Sequence, residues 1–123
     1  MTVFLSPEWF DALESALATI TTGEAGEPGL VLGQVINDCP QGTVRYTIRI
    51  GGDRPGALER GSVEFAQVTL VEDYPSALSV HQGASVADLL ATGKIKVRGD
   101  ANALLRASRE LGALSQALGT IHD

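Results

Sequence analysis

The strictest pattern in this sequence is the alternation of polar and apolar residues over 43–50 (TVRYTIRI). Successive side chains of a β-strand point to opposite faces of a sheet, so this period of two predicts a strand with one buried face. The residues expected on the buried face are Val44, Tyr46, Ile48 and Ile50. Turn-forming residues precede the strand at 39–42 (CPQG) and follow it at 51–53 (GGD), which indicates a meander.

Three further stretches extend this meander. Residues 29–38 predict a strand that is apolar on both faces. Pro55 restricts the stretch after the GGD turn to an edge or irregular strand, because proline cannot donate a hydrogen bond to a neighbour. Residues 62–72 (SVEFAQVTLVE) predict another strand with a bulge near Ala66. This bulge keeps four apolar residues on one face: Val63, Phe65, Val68 and Leu70.

Helices are predicted on both sides of these strands. Residues 6–21 begin with Ser6 as N-cap and Pro7 at the first helical position, and their apolar residues recur at three- and four-residue spacing. After the strands, Asp73 and Ser85 are the expected N-caps of two short helices.

The C-terminal part returns to a strand and then to a helix. Over 94–98 the strand pattern places Ile95 and Val97 inward, and Asp100 caps a last helix that extends to residue 118. Because strands and helices are segregated along the chain, the expected class is α+β rather than a doubly wound sheet. We expect residues 1–123 to form a single domain.

Composition narrows the classes of partner. The net charge of −6 argues against nucleic acid, whose affinity for proteins comes mostly from cations that neutralise phosphates. Cys39 is the single cysteine, so no internal disulfide is expected and a reducing compartment is the simpler assumption. Acidic residues interrupt the first apolar segment, and no apolar run approaches the ~20 residues of a membrane span. We therefore expect a cytoplasmic domain without stable membrane insertion.

Candidate catalytic residues are few. The histidines are His81 and His122, and neither metal-ligand spacing nor a nucleophile elbow occurs. Glu72 and Asp73 lead into Tyr74, a pattern that could supply a base and a phenol for proton transfer at a ketone. Adjacent strand residues point to opposite faces, so Asp73 is better explained as an N-cap. We expect no enzymatic activity, no cofactor and no metal.

Three cations share the short strand: Lys94, Lys96 and Arg98. Residues at this spacing lie on one strand face, and charged residues over an apolar inner face are ordinary. The interpretation that we favour is a solvated outer face, with Glu64 or Glu72 as a cross-strand partner. The alternative is a site for phosphate or an acyl-CoA head group.

Two consecutive segments, AQVTLVEDYPSALSVHQG (66–83) and ASVADLLATGKIKVRGDANALL (84–105), resemble the sterol carrier protein type-2 family. The family often has Asp where this chain has Gln67. The resemblance implies an α+β domain whose mainly antiparallel five-stranded sheet, covered by about four helices, encloses an apolar tunnel. Members of the family bind sterols, fatty acyl chains or other lipids.

The resemblance therefore implies non-enzymatic binding, and in some members transfer, of a hydrophobic ligand such as a sterol, fatty acid or acyl lipid. The residues expected near the ligand are Tyr46, Phe65, Val68, Leu78, Leu89, Leu90, Ile95, Val97, Leu104, Leu105 and Leu111. Aliphatic side chains can line a channel or pack solidly, and composition does not decide between the two. The alternatives are an interaction module with a filled core, which forms a homodimer or docks onto an enzyme, and a small isomerase or hydrolase.

Overall fold

The computed structural model describes residues 4–20, 29–52, 54–119 and 121. The strands are β1 (Leu30–Cys39), β2 (Gly42–Gly51), β3 (Arg54–Arg60), β4 (Val68–Asp73) and β5 (Ile95–Gly99). The helices are α1 (Pro7–Leu17), α2 (Tyr74–His81), α3 (Val86–Ala91), α4 (Ala101–Arg106) and α5 (Ser108–Gly119). Thus α1 precedes the strands, α2 and α3 lie between β4 and β5, and α4 and α5 follow β5.

The strands of the described residues form one five-stranded sheet in the order β3-β2-β1-β4-β5. β1 is parallel to β4, and the other three neighbouring pairs are antiparallel. The parallel pair arises because the chain leaves β3 at one edge of the sheet and crosses to the far side of β1 before β4 begins. The predicted α+β class and five-stranded sheet are confirmed, and the sheet is mixed rather than purely antiparallel.

The helices cover one face of the sheet, which we call the inner face. The predicted inner face of 43–50 is confirmed, since Tyr46, Ile48 and Ile50 are buried and Val44 packs partly buried against the core. Thr47 on the opposite face is buried as well, where its hydroxyl donates to the Ser62 carbonyl oxygen. The inner-face residues of β1 and β4 belong to the same core: Leu30, Leu32, Ile36, Val68 and Leu70. From the other side α1 contributes Trp9, Leu13 and Leu17, all almost fully buried. The apolar core therefore fills the space between the sheet and α1.

All four predicted N-caps are present. Their side-chain oxygens accept a hydrogen bond from a backbone N–H in the first turn of each helix: Ser6, Asp73, Ser85 and Asp100. Capping depends on a few neighbouring residues, which is why the sequence predicts it well. The first helix ends at Leu17, before the predicted boundary at residue 21, which lies outside the described residues.

The prediction of a continuous strand over 62–72 is wrong in its first half. Residues 62–67 form a turn, with the Ala66 N–H bonded to the Val63 carbonyl oxygen, and β4 begins only at Val68. This turn lies against the outer face of the sheet at Gly33, where a Cβ would come within 3.0 Å of Val63 and Ala66 side chains. The predicted bulge is therefore absent, and Phe65 leaves the inner face.

The last helix is divided in two. Ala107 has φ −108° and ψ 33°, outside the helical region, and its N–H bonds to the Leu104 carbonyl oxygen. Alanine is a good helix former, so local propensity gave no sign of a break. Ala103 and Ala107 are both buried in the core, and we attribute the bend to this packing. Neither half, nor any other helix in the described ranges, is long and apolar enough to cross a bilayer.

Candidate functional site

The candidate site is the region between the inner face of the sheet and the helices. Most of the predicted ligand residues meet there. Three are buried in the core: Tyr46, Val68 and Ile95. Six are partly buried and pack against the core from α2, α3, β5, α4 and α5: Leu78, Leu89, Leu90, Val97, Leu104 and Leu111. The sequence therefore identified a set of residues that the fold brings to one region, although their contact with a ligand stays a prediction.

Two of the predicted ligand residues lie at the surface instead. Phe65 is 66% exposed and Leu105 is 78% exposed. Phe65 is displaced because the segment before β4 is a turn rather than a strand. Leu105 occupies the outer side of α4, next to the half-buried Leu104. Neither residue belongs to the interior as the structure describes it.

Aromatic side chains fill the end of the core beneath α1 and α2. The Trp9 ring lies 5.1 Å from the Phe4 ring and 6.1 Å from the Tyr46 ring, both in edge-to-face geometry. His81 of α2 stacks on Phe4 at 4.7 Å with an interplanar angle of 14°. These contacts join α1 and α2 to the sheet. The predicted apolar tunnel is not shown, because large side chains occupy this part of the interior.

Polar groups also lie inside, and sequence reasoning did not identify them. Trp9 Nε1, Gln34 Oε1 and Glu72 Oε2 are buried, and none has a hydrogen-bond partner among the described residues. Leaving a buried polar atom unpaired costs about 1–3 kcal/mol. Strand parity could have found two of them, because Gln34 alternates with Leu32 and Ile36 of the core.

Glu72 is the strongest electrostatic feature of the inner face. It is 8% exposed, and it lies between Ile36 of β1 and Ile95 of β5. Burial, together with a smaller contribution from the charge of Asp73, raises the pKa of its carboxyl to about 7. Burial also raises the pKa of Tyr46, with a smaller contribution from Glu72. The inner face thus contains a carboxyl group that is close to half-protonated near neutral pH.

Asp73 has a structural role, as the capping pattern predicted. Its Oδ1 accepts a hydrogen bond from the Ser76 N–H at 2.8 Å. Hydrogen bonds from Ser76 hold the pKa of this carboxyl below its usual value, and Lys94 adds a smaller effect. Glu72 points inward while Asp73 caps α2, so the two carboxyl groups do not serve one cavity.

The two cations of β5, Lys96 and Arg98, face outward as in the favoured interpretation, whereas Lys94 precedes the strand and lines a cleft beside α2. Lys94, Lys96 and Arg98 are exposed, whereas Ile95 is buried. The expectation of Glu72 as their cross-strand partner is wrong, because Glu72 lies on the inner face beside Ile95.

A cleft of about 210 Å³ lies between α2 and α3. Its lining residues are Asp73, Pro75, Ser76, Ser79, Leu89 and Lys94. Asp73 already occupies the N-terminus of α2, which would repel a phosphate there. Within the described ranges no group of three or more histidine, cysteine or acidic residues is placed to hold a metal ion.

No protein-family model and no curated protein matches the sequence. A crystal structure of sterol carrier protein 2 matches with a TM-score of 0.72 and 14% identity, over 98% of this chain and 100% of that chain. A solution structure of palmitated SCP2L2 from Aedes aegypti matches with a TM-score of 0.62 and 18% identity, over 97% and 99% of the two chains. A structure of the sec-alkyl sulfatase PisA1 matches with a TM-score of 0.56 and 20% identity, over 83% of this chain and 16% of that chain. The chain therefore has the fold of sterol carrier protein 2.

Proposed function

We propose that this protein binds a hydrophobic ligand, such as a sterol, fatty acid or acyl lipid, between the inner face of the sheet and helices α2 to α5. The observation that carries the proposal is the set of partly buried aliphatic side chains from these helices and β5 that pack against the core. An acyl chain that replaces such contacts remains in an apolar environment. The ligand undergoes no chemical change in this proposal.

The cover of the interior is suited to opening. α3 and α4 contain six residues each, and helices of this length are not stable alone in water. Their positions therefore depend on leucines such as Leu89 and Leu104, which are only partly buried. Each methylene that a ligand buries contributes about 0.8 kcal/mol, so a chain of ten methylenes contributes about 8 kcal/mol. This free energy is larger than the free energy that is lost when a few partly buried leucines move away from the core.

The comparison with Aedes aegypti SCP2L2 supports the proposal. The matching solution structure is that of palmitated SCP2L2, so a protein of this fold is associated with a long acyl chain. At 18% identity this comparison supports the fold, and the interior of this chain carries the proposal for the ligand.

The test is native mass spectrometry of the freshly purified protein, followed by organic extraction and identification of any released lipid. Leu104→Asp and Leu105→Asp form a matched pair, because they place the same charge on neighbouring residues of α4. Leu104 packs against the core and Leu105 is exposed. We expect Leu104→Asp to lose lipid uptake and Leu105→Asp to retain it.

Circular dichroism of both variants checks that α4 and the sheet remain folded. Lipid uptake by a folded Leu104→Asp variant would place the ligand elsewhere. A wild-type protein that carries no lipid after purification and also takes up neither a charged nor an uncharged fluorescent lipid probe would contradict the proposal as a whole.

A further inference from the structure

Three buried polar atoms between α1 and the inner face have no role in the apolar binding described above. They are Trp9 Nε1, Gln34 Oε1 and Glu72 Oε2, and no described residue offers them a hydrogen bond. Most buried polar atoms in native structures form a hydrogen bond, so each unpaired buried atom needs a physical explanation. Two of these atoms belong to inner-face residues of the sheet, Gln34 and Glu72, and the third belongs to Trp9 of α1, which packs against that face.

The three groups surround one residue, Tyr46. Gln34 is the direct neighbour of Tyr46 across β1 and β2. The Trp9 ring lies 6.1 Å from the Tyr46 ring, and the charge of Glu72 acts on Tyr46. Gln34 and Glu72 are also diagonal neighbours, because β1 and β4 pair Gln34 with Leu70 and Ile36 with Glu72. The unpaired atoms therefore belong to one polar patch in an apolar surrounding.

The hydrogen-bonding capacity of the three side chains determines which ligand group can pair with them. Trp9 Nε1–H can only donate a hydrogen bond, and Gln34 Oε1 can only accept one. Glu72 accepts when ionised, and donates when protonated. A hydroxyl group both donates and accepts, so it matches Trp9 and Gln34 in either protonation state of Glu72.

A carboxylate fits this patch poorly. It cannot donate to Gln34 Oε1, and it would lie close to the ionised form of Glu72 in an environment of low polarity. Two carboxylates that share a buried site raise each other's pKa, so binding of a fatty-acid anion requires the uptake of a proton. The patch therefore favours an uncharged head group over a charged one of the same size.

We propose that Trp9, Gln34 and Glu72 form a buried anchor for the hydroxyl head group of a lipid, and that this anchor selects hydroxyl lipids over fatty-acid anions. The anchor rests on the proposed function, because the head group reaches the inner face only if the chain binds lipid in its interior. It adds to that function a head-group class and three named residues.

The experiment compares three ligands of equal chain length: 1-dodecanol, dodecanoate and dodecane. Each competes at pH 8 with the uncharged fluorescent probe N-phenyl-1-naphthylamine for binding to the protein. We expect 1-dodecanol to bind about tenfold more tightly than dodecanoate or dodecane, which is the effect of one or two buried hydrogen bonds.

The variants separate charge from hydrogen bonding. Glu72→Gln removes the charge and keeps a polar side chain, so dodecanoate should bind about tenfold more tightly while 1-dodecanol changes less than threefold. Glu72→Leu removes the polar group, so 1-dodecanol should lose its advantage over dodecane. Glu64→Gln changes the net charge by the same amount at an exposed position and should change none of the three affinities.

The outcomes separate the anchor from the proposed function. If the three ligands bind equally and both Glu72 variants bind them as the wild type does, the anchor is refuted while lipid binding stands. If neither the probe nor any of the three ligands binds the folded wild type, both proposals fail. Loss of head-group selection in Glu72→Leu, with dodecane affinity kept, supports the anchor.

Discussion

Replacing Glu72 with glutamine should remove the part of the pH dependence of stability that comes from Glu72 between pH 5 and pH 8. The wild-type carboxyl has a pKa of about 7 when folded and 4.5 as its ordinary value. A pKa that is higher in the folded state stabilises the fold at low pH, and this contribution is lost as the pH rises through 7. The wild type should therefore become less stable from pH 5 to pH 8, and Glu72→Gln should not share this loss.

The magnitude follows from the two pKa values. Their difference, from 4.5 to about 7, corresponds to about 3 to 4 kcal/mol at 1.36 kcal/mol per pKa unit, and most of this change falls between pH 5 and pH 8. With a urea m-value of about 2 kcal/mol per molar, this is a difference of about 1.5 M in the midpoint of unfolding. The physical source is desolvation, because Glu72 is 8% exposed and its Oε2 has no hydrogen-bond partner among the described residues.

The assay is urea unfolding followed by circular dichroism at pH 5, 6, 7 and 8, for the wild type, Glu72→Gln and Glu64→Gln. The quantity of interest is the difference in the free energy of unfolding between each variant and the wild type at each pH. Subtraction removes titrations common to all three proteins. Asp73, whose pKa is lowered, contributes below this window, and the raised pKa values of Cys39 and Tyr46 lie above it.

The result that refutes the reasoning is a Glu72→Gln difference that stays constant from pH 5 to pH 8. It would mean that water reaches the Glu72 carboxyl and that its pKa is ordinary. A pH-dependent difference of the same size in Glu64→Gln would also refute it, because Glu64 is exposed.

Two further predictions concern the framework. Gly33→Ala should destabilise the protein by about 1–3 kcal/mol, because its Cβ would lie 2.8 Å from Thr69 Oγ1 and 2.9 Å from Ala66 Cβ. Gly112→Ala, in open space on α5, should instead stabilise the protein by up to about 1 kcal/mol. Equal effects in urea unfolding would contradict the described packing at Gly33. Asp73→Ala should cost about 1 kcal/mol through loss of the α2 N-cap, and Asp73→Asn should restore most of it; thermal unfolding that does not separate the two variants would refute the capping role.

Local sequence predicted those parts of the fold that depend on a few neighbouring residues. The alternation over 43–50 placed Tyr46 and Ile48 inside, and the four N-caps follow from single side chains beside the first helical turn. The outward direction of the β5 cations follows from the same period of two.

Parts that depend on distant contacts were not predictable in this way. The segment before β4 reads as a strand, yet it turns because it packs over Gly33, which is about thirty residues earlier in the chain. The break at Ala107 lies in a sequence with strong helix propensity, and packing against the core overrides it.

In the candidate site, too, some residues could be predicted from the sequence and others depend on distant contacts. The apolar residues predicted to contact a ligand came with the resemblance to a family pattern, and all but Phe65 and Leu105 lie in the interior. The polar patch was missed because an isolated inward glutamine or glutamate, such as Gln34 or Glu72, resembles a solvated residue until its neighbours across the sheet are known.

The central pair of parallel strands has a consequence for the folding rate. β1, β2 and β3 are consecutive antiparallel neighbours and can form through short loops, whereas β4 meets β1 only after the chain closes a separation of 36 residues between Val31 and Gln67. Gln67 fixes this junction, since its N–H donates to the Val31 carbonyl oxygen at 2.9 Å and its Oε1 accepts from the Val31 N–H at 2.9 Å. Until that closure, β1 has an unpaired edge that can pair with β4 of another molecule. Exchange of the C-terminal half between two chains therefore competes with correct folding at high protein concentration.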